Sequence, residues 1–152
     1  KKAVIKVYTN AIPQNRDKSV FDIDCCQYCG SVGPDELKKV YNNADILLFV
    51  ESFAPEMIEK TRYSLSTKVP EYLSLRKLIL AVGPGEIGSL DYLKDCAFCI
   101  TNNNEIESRV SVLLENILEY GNLINKAQEK YELNHNREIM QKEFINTLFP
   151  DE

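Results

Sequence analysis

Asp45-Ile46-Leu47-Leu48-Phe49-Val50 is an almost unbroken apolar run of strand length, and it decides the fold class. A strand wetted on one face alternates apolar and polar residues. A run that is apolar throughout suits a central strand of a parallel sheet covered on both faces. Outward from it, Lys77-Leu78-Ile79-Leu80-Ala81-Val82 repeats the pattern, and residues 97–101 supply the last such run. Upstream, residues 3–9 read as the first strand, and a second lies within residues 21–29. Helical patterns fill the gaps. Gly33-Pro34-Asp35-Glu36 opens one, with Pro at the first helical position and acids at the positive end of the dipole, and Asn42-Asn43 stops it. Between residues 105 and 120 the apolar positions Ile106, Val110, Leu113, Leu114, Ile117 and Leu118 describe one helix face. Gly121 breaks that pattern, and a polar helical tail runs to about Leu148, interrupted near Asn134-His135-Asn136. The alternation predicts an α/β fold: a doubly wound, mostly parallel sheet of about five strands with helices on both faces.

The chain has 152 residues, 44% hydrophobic and 27% charged, which is the size and balance of one globular domain and excludes disorder. Its net charge of −5 offers no basic excess for a nucleic-acid backbone, so broad DNA or RNA binding is not expected. No apolar run reaches the length of a membrane span, and no signal-peptide pattern opens the chain. It also opens without Met, and we expect a piece of a longer protein.

Five cysteines, with the spacings Cys26-x-x-Cys29 and Cys96-x-x-Cys99, raise the question of zinc. The two pairs stand 66 residues apart, where a ribbon uses about 15–20. Residues 96–100 read as strand, and on a strand residues three apart point to opposite faces. Small buried thiols are therefore expected and no metal site is assigned.

Ligands in such a fold bind beyond the carboxyl ends of the strands. The most informative stretch there is Arg62-Tyr63-Ser64-Leu65-Ser66-Thr67-Lys68-Val69-Pro70-Glu71-Tyr72-Leu73. Pro70 belongs in the first turn of a helix, which puts the helix start near Ser66 or Thr67, either a good N-cap. Free N–H groups, the Ser66 and Thr67 hydroxyls and the Lys68 cation suit a diphosphate. Glu71, less than a turn later, is placed to accept hydrogen bonds from vicinal hydroxyls, so together they suit a nucleotide and its ribose. The same residues also suit an ordinary capped helix with solvated Lys and Glu.

Beyond this stretch, Gly30-Ser31-Val32, Asp35-Glu36-Leu37 and Tyr41-Asn42-Asn43-Ala44-Asp45-Ile46-Leu47-Leu48 follow in an order that resembles the nucleotide-binding half of retaining GT-B glycosyltransferases, the large group 1 (family 4-like) set. Ser66-Thr67-Lys68-Val69-Pro70-Glu71-Tyr72-Leu73 resembles that family's S-x-K-x-x-E-Y-L segment. The resemblance covers roughly residues 20–120. It implies the Rossmann-like C-terminal half of a GT-B fold, a single donor-binding domain over residues 1–152 with residues 121–152 as a helical extension. The acceptor-binding N-terminal domain is expected outside this chain. It further implies that Glu71 binds the donor ribose, that Ser66, Thr67 and Lys68 hold the diphosphate, and that Gly30, Ser31 and Val32 face the nucleobase. The ligand would be a UDP- or GDP-linked sugar, with no separate cofactor and no metal. The sugar would pass with retention to a glycan or lipid-linked acceptor held by the other half, in polysaccharide biosynthesis. The implied location is cytoplasmic, with any contact to the inner face of the membrane made by the full-length protein, and the fragment alone is expected to be inactive.

The chain departs from that family in three places. A Glu eight residues before the ribose Glu is replaced by Tyr63, and the glycine-x-proline before the next strand by Arg76-Lys77-Leu78. The basic pair for the diphosphate is not matched by Asn15-Arg16-Asp17-Lys18, so it is expected upstream of Lys1. No catalytic residue is assigned.

Two other readings compete. Gly83-Pro84-Gly85-Glu86-Ile87-Gly88 spells the G-x-G-x-x-G of an NAD(P)-binding domain. Pro84 lacks an N–H there and Glu86 brings a negative charge, so a loop shaped by turn-forming glycines is favoured. A non-catalytic Rossmann-like assembly module is the other. His135 reads as a surface residue. Ile124, Tyr131, Ile139, Phe144 and Leu148 read as apolar positions available to the absent domain. Of Tyr28, Tyr63 and Tyr72, at least two are expected in core packing.

Overall fold

The structure, a computed structural model, describes residues 2–11, 19 and 21–149. Asn15-Arg16-Asp17-Lys18 lies outside the described residues. The chain divides into two compact units, Lys1–Asn43 and Ala44–Glu152.

In the first unit, β1 (Ile5–Val7) and β2 (Cys26–Tyr28) pair in parallel, Ile5 opposite Cys26 and Val7 opposite Tyr28. Helix α1 (Pro34–Asn43) begins at Pro34, with Asp35 and Glu36 in its first turn. The Glu36 carboxylate accepts from the Gly33 N–H at 3.3 Å, half of a capping box. Cys26 is the one buried hydrophobic residue among the described residues of this unit.

The second unit is built on β3 (Ile46–Val50), β4 (Leu78–Val82) and β5 (Phe98–Ile100), all parallel in the order β3-β4-β5. Helices α2 (Pro55–Thr61) and α3 (Lys68–Ser74) connect β3 to β4, and α4 (Gly88–Leu93) connects β4 to β5. Then follow a 3₁₀ turn (Asn103–Glu105), α5 (Ile106–Glu115), a second 3₁₀ turn (Ile117–Tyr120), α6 (Gly121–Asn134) and α7 (Arg137–Leu148).

Two apolar layers lie on this sheet. On one face Phe49, Ile79 and Ala81 meet Val69 and Leu73 of α3, Leu90 and Leu93 of α4 and Ala127 of α6. On the other, Leu78, Leu80, Val82, Phe98 and Ile100 meet Leu113 of α5, with Val110, Ile117 and Tyr120 around them. Helices thus cover both faces of the three-stranded sheet, and the fold is α/β with parallel sheets, compatible with a Rossmann-like arrangement.

Three expectations change. In its unit β3 stands at one side of the sheet: Leu47 and Phe49 are buried but Val50 is 60% exposed, and the position covered on both faces belongs to β4. Gly121 starts α6 instead of ending a helix, and α6 belongs to the core. Leu123, Ile124, Ala127 and Tyr131, spaced by one, three and four residues, present one face to both layers. Ile124 and Tyr131 are therefore used within this chain, whereas Phe144 and Leu148 of α7 are exposed. Finally, Cys96 lies in the turn before β5, so it and Cys99 pack into the same apolar layer instead of diverging along a strand.

Candidate functional site

The carboxyl ends of β3 and β4 lead into segments 51–67 and 83–87. In a strand–helix–strand crossover the helix runs back against the strands, so α3 begins on the carboxyl side of the sheet. Val69 and Leu73 are fully buried and anchor α3. Thr67, Lys68 and Glu71 fall on its opposite, exposed side, with Ser66 half-buried at its start. Ser66 does the capping: its carbonyl accepts from Val69 N–H at 3.0 Å, and its hydroxyl accepts from Lys68 N–H at 3.4 Å. Thr67 makes no side-chain cap bond and already has helical backbone angles. α3 is only seven residues long, so the Lys68 ammonium, not the helix dipole, is the chief positive charge here. Lys68 and Glu71, three residues apart, stand in no ion pair among the described residues.

Ser66, Thr67, Lys68 and Glu71 thus all lie at the start of α3, in the second unit. Gly30, Ser31 and Val32 belong to the first unit, after β2. Gly30 has φ +73°, a left-handed conformation that favours glycine, and its carbonyl accepts from Thr9 N–H at 2.8 Å. Ser31 is exposed and Val32 half-buried.

Residues 62–66, the approach to α3, have no strand or helix of their own. They are held by the first residues of α4, through contacts that no local sequence pattern signals. Gly88 N–H donates to the Arg62 carbonyl at 2.7 Å. The Ser89 hydroxyl donates to the Ser64 carbonyl at 3.2 Å and accepts from Ser66 N–H at 3.0 Å. A Cβ on Gly88 would stand 3.0 Å from the Ser64 carbonyl oxygen, and one on Gly83 (φ +155°) 2.8 Å from the Glu51 Cβ. The glycines of the 83–88 loop are therefore explained by close packing and by a turn closed from Ile87 N–H to the Pro84 carbonyl at 3.1 Å. Two N–H groups that a dinucleotide cradle would need are spent inside the protein.

A shallow cleft of about 410 Å³ adjoins this segment, lined by Pro55, Ile58, Glu59, Arg62, Tyr63 and Glu86. Tyr63 is 90% exposed, with the Arg62 guanidinium 5.6 Å from its ring centre. Of the three tyrosines, Tyr72 packs on the core; its phenol is pushed up by burial and then by the nearby Glu71 charge. Tyr28 sends its hydroxyl to the Thr9 and Ala11 carbonyls, 3.4 Å each.

All five cysteines are free thiols. Burial pushes Cys96 and Cys99 up to about 11, which keeps both neutral. Among the described residues no group of three or more His, Cys, Asp or Glu side chains is placed to hold a metal ion, and no helix is long and apolar enough to cross a membrane. His135 is half-buried, not a free surface residue: its Nε2 lies 3.0 Å from the Tyr92 hydroxyl, and desolvation lowers its pKa.

Comparison of the chain with protein-family models, with curated proteins and with solved structures gives no match.

Proposed function

We propose that the chain is the donor-binding domain of a retaining glycosyltransferase of GT-B type, taking a UDP- or GDP-linked sugar. The doubly wound sheet of that half-fold is part of the proposal, as are the acceptor on another domain, a glycan or lipid-linked molecule, and a cytoplasmic location. The observation that carries it is the α3 turn, where Thr67, Lys68 and Glu71 face outward, opposite buried Val69 and Leu73. An ammonium and two hydroxyls suit a diphosphate, and a carboxylate one turn along suits vicinal ribose hydroxyls. That neither charge is used in an ion pair among the described residues supports a role outside the fold. In that role Ser66, Thr67 and Lys68 stabilise charge on the departing diphosphate, and no metal is needed for that step. The resemblance gives the nucleobase to Gly30, Ser31 and Val32.

Nucleotide titration of the isotope-labelled chain tests this. UDP or GDP is expected to shift the amides of residues 66–71 saturably. Lys68→Ala and Glu71→Gln are each expected to weaken binding by about tenfold. Shifts confined to residues 83–88, produced by NAD alone, would replace the reading with a dinucleotide one. No response to any of the three would leave it without support.

A further inference from the structure

We infer that Ser89 is a positioning residue for the nucleotide site, setting through its hydroxyl the backbone course of residues 64–66 and hence the placement of Ser66, Thr67 and Lys68. The inference rests on the reading of residues 66–71 as a diphosphate and ribose site, and adds to it a residue that touches no ligand. Ser89 is the one buried polar side chain among the described residues, 1% exposed. Both hydrogen-bonding functions of its hydroxyl are used on one segment, donating to the Ser64 carbonyl and accepting from Ser66 N–H, on either side of Leu65. Residues 62–67 belong to no strand or helix, so no ladder fixes them. The ends of the segment are tied to the helices by Arg62 N–H on the Ile58 carbonyl and by the Ser66 capping bonds, and Ser64 turns back on the Thr61 carbonyl; between them, the bonds from outside the segment are these two and Gly88 N–H on the Arg62 carbonyl. A buried hydroxyl costs desolvation unless both partners are well placed, so its geometry is demanding in return. Removing it orphans the Ser66 N–H and the Ser64 carbonyl directly before the residues that hold the phosphates.

The test compares Ser89→Ala, Ser89→Cys and Ser89→Thr in the full chain, with Ser108→Ala, which deletes an exposed hydroxyl bonded to the Glu105 carbonyl, as a control. UDP and GDP affinity, amide shifts of residues 64–68 without ligand and exchange of the Ser66 amide are read together. Ser89→Ala and Ser89→Cys are expected to weaken the nucleotide that wild type binds by about three- to tenfold. They should also displace the 64–68 amides and speed exchange at Ser66. Ser89→Thr, which keeps a hydroxyl, should restore affinity, and Ser108→Ala should not change it. Ser89→Cys leaves no cavity and puts a poor hydrogen-bonding group in place of the hydroxyl, so it carries the test if Ser89→Ala does not fold. If wild type binds and both hydroxyl-free variants bind equally well, the inference is overturned and the site reading stands. If wild type binds neither nucleotide, the reading falls and the inference with it.

Discussion

Arg76 is the residue at which sequence and backbone disagree most. It has φ +52°, the one non-glycine residue in the left-handed region among those described, in the turn between α3 and β4. A side chain in this conformation costs about 1–2 kcal/mol that glycine avoids. Arg76→Gly is expected to stabilise the chain by about 0.5–1 kcal/mol once glycine's greater freedom in the unfolded state is subtracted. Thermal melting would show a rise of about 1–4 °C, and an unchanged or lower midpoint would refute the strain argument. Ser89 is the opposite case. Its bridging position was not legible in the sequence, because a serine in Gly88-Ser89-Leu90 carries no signal of the distant carbonyl and amide it bridges. Only the meeting of α4 with residues 62–66 creates those partners. The start of α3, and with it the place of Lys68 and Glu71 on that helix, was legible because Pro70 belongs in a first turn.

Among the elements, α6 shows how a polar helix joins a core. Its charged residues hid a short apolar stripe, and Ala127, too small to stand out in a pattern, is 2% exposed. The end of α6 is joined to α4 by a polar cluster. Lys130 donates to the Tyr92 carbonyl at 2.7 Å and pairs with Asp95, its ammonium 4.6 Å from the Tyr92 ring centre. His135 meets the Tyr92 ring edge to face, 5.7 Å between centres. Desolvation holds His135 below the usual histidine value. The unfolded chain therefore takes up this proton first as pH falls. The contribution is whole above about pH 6.5 and is lost as pH drops through the lower folded value. Asp95 acts further down: the Lys130 hydrogen bond lowers its pKa, so that contribution is whole above about pH 3.9 and lost below. Melting temperature against pH should consequently fall in two steps. His135→Gln is expected to remove the first and spare the second, and a curve unchanged by it would show that the imidazole contributes nothing.

At the scale of the whole molecule, the division into two units was not legible, although the strands and most helices were. Periodicity reports which residues want burial but not which strands share a sheet, so five apolar runs read naturally as one sheet. The structure gives a two-stranded and a three-stranded parallel sheet, and the buried residues are very unevenly shared. Beside Cys26, the first unit leaves Val4, Ile5 and Ile23 about half exposed, while every residue of β4 is buried. Hydrogen exchange should follow that imbalance, since opening free energy tracks local burial. Amides of residues 78–82 are expected to exchange roughly a hundredfold more slowly, or better, than those of β1 and β2. Equal protection in both units would contradict it.

The fully covered β4 has one more consequence, for the chain when it is not folded. Leu78-Ile79-Leu80-Ala81-Val82 is uncharged, rich in strand-forming residues and free of proline, the make-up of a segment that stacks into cross-β aggregates when exposed. Arg76 and Lys77 stand immediately before it, and Gly83-Pro84 immediately after. Charges and proline at the borders of such a segment act as gatekeepers against self-association. The arginine that strains the folded turn is thus one that keeps unfolded copies apart. Replacing it with glycine exchanges solubility during synthesis and refolding for a firmer native state.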